Sequence, residues 1–436
     1  MADQAGCSAA SVAVPVNEGV IIGKRQPASE ACPKPLDIFS WWRPDTVLAR
    51  WASRPATAGR GTRGVELNLG LRDQRTAVDS VVRWAAAFGG GGDGTLMGIS
   101  AGAHSVTSSL SARLAIDHLV HPAPLAFTEA ILESGAPTAR SVLGPRHARR
   151  RGGGGPSAAR PPGGCSSSTW PFQPVVDGTG GVIPDIPFWQ VDVLCRSDTA
   201  RTLSVTTGFC SHEGTQFVPL DLATNAQFRA WFSALVPSLT GDHLDALERL
   251  YPDPATSPSK RYEKTPGCGH GAQFRRLHEA YAHYAYICPV LHTAHRLSCA
   301  GARVYLYEYA ATSEPFGAAS HGDQAPVVAH DMETLRGQRG LVAVAEEMAS
   351  RWGQFMALPT GEIASWPRFQ SPFGDGCGGG ELLVFGKGND EAAGGKSEGV
   401  AVRKRILTDE EMAQCKFWWE RMGLSQGMGV SGQYRE

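Results

Sequence analysis

The chain has 436 residues, and its hydrophobic fraction of 42% is enough for one large α/β domain or for two smaller domains. A formal net charge of −1 provides neither a basic face for nucleic acid nor an acidic tail for a charged partner. No apolar run approaches the roughly twenty residues that a membrane span needs. The composition therefore argues against nucleic-acid-binding and membrane-spanning classes.

The N-terminal sequence, MADQAGCSAASVAVPV, has no basic start and only a brief apolar stretch, which is a poor match to a signal peptide. We therefore predict a cytoplasmic protein, or a secreted one if the N-terminus is wrongly assigned. The ten cysteines are compatible with thiols or with a few disulfides, and their spacing does not decide between these states. The sequence leaves the oligomeric state open.

Short apolar runs alternate with helical stretches along most of the chain. The predicted strands are 95–99, 130–132, 203–207 and 303–309, and the predicted helices are 75–87, 101–116, 273–297 and 341–356. This alternation predicts a mostly parallel sheet covered by helices. A Gly/Pro/Arg-rich stretch at about 140–168 has nothing to bury and predicts a disordered insertion.

The pentapeptide Gly98-Ile99-Ser100-Ala101-Gly102 has the G-x-S-x-G form of a nucleophile elbow. There a serine lies on a sharp strand-to-helix turn, with its hydroxyl exposed at the end of a sheet. A predicted strand precedes Ser100 and a predicted helix follows it, as this motif requires. We predict that Ser100 is a nucleophile, and that Gly98 and Gly102 are glycines because strand and helix pack too closely for side chains.

Two further glycine motifs are weaker. A second G-x-S-x-G match, Gly423-Leu424-Ser425-Gln426-Gly427, follows a helical stretch with no strand before it, so we predict a helix C-terminus there. A G-x-G-x-x-G match at Gly89, Gly91 and Gly94 is followed by a strand, which argues against a dinucleotide site.

A serine nucleophile requires a base that accepts its proton and an acid that holds the base in one tautomer. In α/β-hydrolases these partners follow the serine in the order acid, then histidine, each on a loop after a strand. Glu213 follows the predicted strand 203–207, and His321 follows the predicted strand 303–309 in a loop of small residues. We therefore predict a triad of Ser100, Glu213 and His321.

Motifs on both sides of the pentapeptide resemble those of the type-B carboxylesterase and lipase family, which includes cholinesterases and fungal lipases. The segments that carry the resemblance are residues 68–74 (NLGLRDQ), Trp84 with 88–90, 130–135 (AILESG), 174–178 (PVVDG) with 183–185, and, more weakly, 366–367 and 417–418. They occur in the family's order over roughly residues 65–420, which is more specific than any one motif.

The resemblance to fungal-type members implies an α/β-hydrolase fold whose first strands are missing or degraded, because the chain is shortened before the matched region. Residues 61–436 are then the hydrolase domain, and residues 1–60 are a divergent segment, either part of it or disordered. The resemblance also implies a carboxylic ester hydrolase that acts on a small-molecule ester through an acyl-enzyme and needs no cofactor or metal. It places the triad at the same three residues, and it implies that Ser134 hydrogen-bonds within the acid–base network.

The oxyanion hole is where the sequence departs from the family. The backbone N–H of Ala101 is the predicted donor at the start of the helix. The family's other donors come from an HGGG-type loop, and no such loop is found upstream of Ser100. The alternative is therefore a catalytically impaired α/β-hydrolase-fold protein, a truncated gene product or a binding module. Ile99 stands where the family usually has Glu, which argues against a cationic alcohol such as choline.

One predicted helical region contains several residue types that bind metals. They are Cys268, His270, Cys288, His292 and His295. Their spacing fits no common zinc pattern, so we predict no metal site. His104, four residues after Ser100, is predicted to pack away from the hydroxyl, and Tyr281, Tyr284 and Tyr286 are predicted core residues.

Overall fold

A computed structural model gives the placement of most of the chain. It describes the backbone of residues 11–16, 19–26 and 36–39, and residues 68–88, 94–105, 127–138, 174, 176–178, 181–259, 261–263, 269–357, 362–363, 365–374 and 378–424. The whole of the predicted insertion at about 140–168, residues 106–116 of the predicted helix 101–116, and Ser425 lie outside these residues.

Three strands near the N-terminus form a separate antiparallel sheet. They are β1 (Ser11–Val16), β2 (Gly19–Gln26) and β3 (Leu36–Phe39), paired in that order. Pro and Gly interrupt the apolar pieces of these strands, so the sequence pattern does not predict them. Whether residues 1–60 belong to the hydrolase domain stays a prediction.

The central sheet has six strands in the described residues, and their spatial order equals their order in the chain. They are β4 (Gly94–Ile99), β5 (Phe127–Glu133), β6 (Ser204–Cys210), β7 (Arg303–Tyr309), β8 (Glu381–Lys387) and β9 (Val400–Ile406). Strands β4 to β8 are parallel, and β9 is antiparallel to β8. The predicted mostly parallel sheet is confirmed, with β4 as its edge among the described residues.

Helices cover the sheet. The longer ones are α1 (Leu69–Trp84), α2 (Pro187–Cys195), α3 (Asn225–Leu235), α4 (Gly241–Leu250), α5 (Phe274–Ala282), α6 (Cys288–Cys299), α7 (Arg339–Ala357) and α8 (Asp409–Trp419). Another helix begins at Ala101 and is described to Ser105. No helix of the described ranges combines the length and apolar character that a bilayer crossing requires.

Two buried clusters lie against the sheet. The larger one packs side chains of α3 to α6 and α8 around residues such as Leu132 and Leu306. The smaller one packs α7, through Trp352 and Met348, against residues such as Ile131. Leu132 and Ile131 are neighbours on β5, and successive side chains of a strand point to opposite faces. Both faces of the sheet are therefore covered, which explains why all seven residues of β6 are buried.

The predicted helix 273–297 is interrupted where a proline enters it. Between α5 and α6, residues His283–Ile287 form a π-helical turn, and Pro289 lies in the first turn of α6. Proline has no N–H and cannot continue an α-helical hydrogen-bond ladder, so the wider turn absorbs the break. A disulfide between Cys288 and Cys415 joins α6 to α8.

Two of the motifs that carry the family resemblance contact each other. Asp177 accepts hydrogen bonds from the backbone N–H groups of Val182 and Ile183, at 3.0 and 2.7 Å. The same carboxylate lies 3.7 Å from the guanidinium of Arg72 on α1. This aspartate therefore closes its own loop and holds it against α1.

Candidate active site

Ser100 lies at the sharp turn between β4 and the helix that begins at Ala101. Its φ is +54°, a left-handed backbone conformation that is unusual for a residue with a side chain. The N–H of Ser100 donates to Glu133 O at 2.8 Å, and its carbonyl accepts from His104 N–H at 3.0 Å. Neighbouring backbone therefore holds the strained turn on both sides.

The glycines around Ser100 differ in how much space they have. A Cβ on Gly98 would lie 2.4 Å from the carbonyl carbon of Gly102, closer than real contacts allow, whereas a Cβ on Gly102 would meet nothing within 4 Å. A Cβ on Gly135 would lie 2.6 Å from Ser100 O. The predicted crowding is confirmed for Gly98. It is wrong for Gly102, whose backbone atoms instead crowd Gly98. Gly135 was missed because its contact with the elbow comes from β5.

We expect the two glycines of the pentapeptide to respond differently to alanine. Gly98→Ala forces the elbow apart and costs about 1–3 kcal/mol by overpacking, with a fall in any activity that depends on Ser100. Gly102→Ala gains up to about 1 kcal/mol because it replaces a helical glycine. Urea unfolding of both variants measures these changes. Equal destabilisation by the two substitutions would contradict this account.

The loops after β6 and β7 are joined along their length. The His212 N–H donates to Ala319 O at 2.9 Å, and Thr215 Oγ1 donates to Ser320 Oγ at 2.9 Å. Both loops leave the carboxyl edge of the parallel sheet, as does the turn at Ser100 after β4, so all three meet at one edge. This topology brings together residues that are far apart in the sequence.

The three predicted triad side chains lie in hydrogen-bonding contact. Ser100 Oγ lies 2.7 Å from His321 Nε2, and His321 Nδ1 contacts Glu213 Oε2. Glu213 is fully buried, and its Oε1 accepts the Cys210 N–H at 2.7 Å. A carboxylate on Nδ1 favours the tautomer that carries its proton there, which leaves Nε2 free to accept the serine proton.

Aromatic rings flank the imidazole. The ring of Tyr286, from the π-helical turn before α6, has its centroid 4.4 Å from that of His321. The ring of Phe217, from the loop that carries Glu213, meets His321 edge-on at 5.2 Å. Tyr281, Tyr284 and Tyr286 are all buried, so the core placement predicted for them is confirmed. Tyr286 is thus a core residue whose ring also contacts the imidazole.

Ser134 takes part in a buried polar network beside the triad. Its Oγ accepts from Gln324 Nε2 at 3.0 Å, and the Oε1 of Gln324 accepts from the Cys210 thiol at 2.9 Å. Cys210 in turn donates its N–H to Glu213, so Ser134 reaches the acid through two intermediate residues. Burial raises the pKa of the Cys210 thiol well above its usual value, which keeps it a hydrogen-bond donor.

A second buried carboxylate, Glu133, lies beside the elbow at the end of β5. Its Oε1 accepts from the indole N–H of Trp352 on α7 at 3.0 Å. Burial raises the pKa of Glu133 to about 7, and the hydrogen bond from Trp352 opposes this shift. In the unfolded chain the same group titrates near 4.5. The folded protein therefore binds one more proton than the unfolded chain between these two pH values.

We expect Glu133 to make the protein less stable as the pH rises from 4.5 to 7. Above pH 7 Glu133 is buried as a carboxylate, and this lowers the free energy of unfolding by about 3 kcal/mol relative to acid pH. Glu133→Gln removes this cost and can still accept from Trp352. Urea unfolding should show the variant gaining about 2–3 kcal/mol over the parent between pH 5 and pH 8.5. A pH-independent difference between the two proteins would contradict the raised pKa.

The predicted oxyanion donor, Ala101, begins the helix after Ser100. Its side chain is exposed, and its backbone N–H has no acceptor among the described residues. The first N–H groups of a helix have no partner within the helix, and the helix dipole favours negative charge there. This N–H is therefore available to an oxygen that is bound beside Ser100.

His104, His292 and His295 have structural contacts away from the triad. His104 Nδ1 accepts from Ala136 N–H at 3.1 Å, away from the serine hydroxyl, as predicted. His295 stacks on Trp419, and its Nδ1 lies 2.8 Å from Ser371 Oγ. His292 contacts Phe188 and Trp419. Cys288 belongs to the disulfide, and Cys268 lies outside the described residues.

Comparison with known proteins shows similarity to a family model and to a curated fungal protein. The model of the Carboxylesterase family matches residues 164–371, a segment that contains Glu213 and His321 and begins after Ser100. Secreted lipase 4 of Gibberella zeae is 29% identical over 268 residues, which cover 54% of this chain and 45% of the lipase. The chain thus spans less than half the length of this relative. The resemblance predicted from the sequence and the α/β-hydrolase fold are both confirmed.

Proposed function

We propose that this relative of the type-B carboxylesterases and fungal lipases hydrolyses carboxylic esters with Ser100 as nucleophile, His321 as base and Glu213 as its partner. The observation that carries the proposal is the contact of His321 with both other residues, 2.7 Å from Ser100 Oγ on one side and against the buried Glu213 on the other. The matches to a carboxylesterase family and to a secreted lipase support the same reaction class.

Acylation begins when Ser100 Oγ attacks the ester carbonyl carbon. His321 Nε2 accepts the serine proton, and the Glu213 carboxylate stabilises the imidazolium that forms. The carbonyl oxygen becomes negatively charged, and the N–H of Ala101 donates to it. The tetrahedral intermediate then collapses, the C–O bond to the alcohol breaks, and the alcohol leaves with the proton from His321.

Deacylation uses the same groups with water as the nucleophile. His321 accepts a proton from the water as it attacks the acyl-enzyme, and the proton returns to Ser100 Oγ when the acid leaves. Glu213 keeps the imidazole in one orientation throughout, because its two oxygens contact His321 and the Cys210 N–H. The protons of both half-reactions thus pass through His321 alone.

The surroundings of the triad favour an uncharged ester. Ile99, before the nucleophile, carries no charge, and the partly exposed ring of Phe217 lies edge-on to His321. Binding is favourable when an apolar group of the substrate and an apolar surface of the protein are removed from water together. The preferred substrate is therefore a neutral ester with an apolar acyl or alcohol group.

We further propose that the protein acts in an oxidising compartment, as a secreted enzyme. Disulfides persist in secreted proteins and are rare in the cytosol, and Cys288–Cys415 is a disulfide. The lipase that resembles this chain is itself named as secreted. This proposal replaces the cytoplasmic prediction made from the N-terminal sequence.

Hydrolysis of a matched pair of esters tests the function. Butyrylcholine and 3,3-dimethylbutyl butyrate have the same shape, but only the first carries a positive charge. We expect turnover of the neutral ester with a kcat/KM at least about tenfold higher than for the cationic one. Turnover of neither ester by the folded protein would instead support the catalytically impaired alternative, in which the oxyanion hole is incomplete.

A further inference from the structure

Helices α2 and α6 lie side by side and run in the same direction. Near the start of each helix, the ring of Phe188 stacks on His292 with 5.2 Å between centroids. One turn later, the Asp192 carboxylate forms an ion pair with Arg296. The two contacts join residues that are separated by the same number of positions in the sequence, so the helices keep one register.

The next pair in this register is Cys195 and Cys299, which are the last residues of their helices. Positions i, i+4 and i+7 of a helix lie on one face, so each cysteine continues the face that carries the first two contacts. Helices in contact have axes about 8–10 Å apart, which leaves facing side chains within reach of a disulfide.

Two observations indicate that the helices stay together at this end. Cys299 and Arg296 are both among the groups that act electrostatically on Cys195, whose pKa burial raises to about 11. Beyond the helices, a Cβ placed on Gly301 would lie 3.3 Å from Arg201 Cγ. The chain that follows α6 therefore remains next to the segment that follows α2.

The two thiols differ in ways that suit stepwise oxidation. Cys299 is exposed, and its Sγ lies 3.6 Å from Nδ1 of His295. Cys195 is half-buried against the larger hydrophobic cluster. An exposed thiolate attacks an external disulfide more readily than a buried thiol does. Neither cysteine belongs to the disulfide of the described residues, Cys288–Cys415.

We propose that Cys195 and Cys299 form a second disulfide that joins α2 to α6, with a small disulfide such as oxidised glutathione as the oxidant. Cys299 Sγ attacks the oxidant, forms a mixed disulfide and releases one glutathione thiolate. Cys195, after losing its proton to solvent, attacks Cys299 Sγ and releases the second. The two cysteines are oxidised by two electrons, and one oxidant is reduced to two thiols.

With this second disulfide, three helices would be linked covalently. Cys288–Cys415 already joins α6 to α8, and the new bond would add α2. It closes a long loop that includes β6, Glu213 and the π-helical turn of Tyr286. Cross-links that close long loops constrain the unfolded chain most, so oxidation should raise the thermal stability.

Peptide mapping of the full chain under non-reducing conditions tests the proposal. After equilibration with oxidised glutathione, we expect one cross-linked peptide that contains Cys195 and Cys299, and its loss on mild reduction. Its formation should raise Tm by about 5 °C. Cys195→Ser and Cys299→Ser should each abolish the cross-link and the rise in Tm, whereas Cys210→Ser, a control at a buried thiol elsewhere, should retain both.

Two results would overturn the proposal. One is an oxidised, folded protein in which Cys195 remains alkylatable after Cys299 has been fully modified by glutathione. The other is a Cys299 that is cross-linked to a cysteine other than Cys195. Because the readouts are a peptide mass and Tm, a failure of the proposed ester hydrolysis leaves this test unaffected.

Discussion

Replacement of Ser100 by alanine should lower kcat for ester hydrolysis by about 10⁴- to 10⁶-fold while the fold is retained. The hydroxyl is the only group of the proposed triad that bonds to the substrate carbon, so its loss removes the acyl-enzyme pathway. The Ala side chain fits wherever Ser does, and the hydrogen bonds of the turn come from backbone atoms. Initial rates with a neutral p-nitrophenyl ester give the measurement.

Ser105→Ala is the matched control for this prediction. Ser105 lies on the helix that begins at Ala101, just over one turn after Ser100, and its Oγ donates to Ala101 O at 2.9 Å. Its loss should change kcat by less than about threefold, because its hydroxyl bonds to the helix backbone and has no role in the proposed triad. A Ser100→Ala protein that keeps more than a hundredth of the parent activity would contradict the assignment.

Replacement of Glu213 by glutamine should lower kcat by about 10⁴-fold with little change in KM. The side-chain oxygen of the new glutamine would accept the Cys210 N–H, as Oε1 of Glu213 does now. Its amide group would then donate to His321 Nδ1 and force the imidazole proton onto Nε2. An imidazole in that tautomer cannot accept the proton of Ser100, so the geometry survives while the base is lost.

Glu308→Gln provides a matched control for the glutamate. Glu308 is also a buried carboxylate near the end of a sheet strand, but it pairs with Arg405 and Ser211 instead of a triad residue. Its substitution should lower stability and leave kcat within about threefold. If the two variants lose activity equally, Glu213 has no special role in orienting His321.

The regular parts of this fold could be predicted from the sequence because they depend on local patterns. The strand Arg303–Tyr309 was predicted to the residue, since its apolar run is bounded by glycine and alanine. The order acid, then histidine, on loops after successive strands led to Glu213 and His321, which contact each other, with His321 also beside Ser100. Their catalytic roles stay predictions.

Contacts between distant segments could not be predicted in this way. Nothing local marks Gln324 as the partner of Ser134 and Cys210, because that network exists only after β5, β6 and the His321 loop have met. The pairing of Cys288 with Cys415 likewise depends on how α8 packs on α6. Pro289 was visible in the sequence, but the π-helical turn that absorbs it was not.

Covalent labelling with a fluorophosphonate tests the central claim most directly, because the probe reacts only with a serine that a neighbouring base activates. We expect one label per folded chain, located by peptide mass spectrometry on Ser100 and absent from the Ser100→Ala variant. Ser425, in the second G-x-S-x-G match, should remain unlabelled, and Ser425→Ala should label like the parent. A folded protein that takes up no label, or takes it up at a serine other than Ser100, would contradict the account.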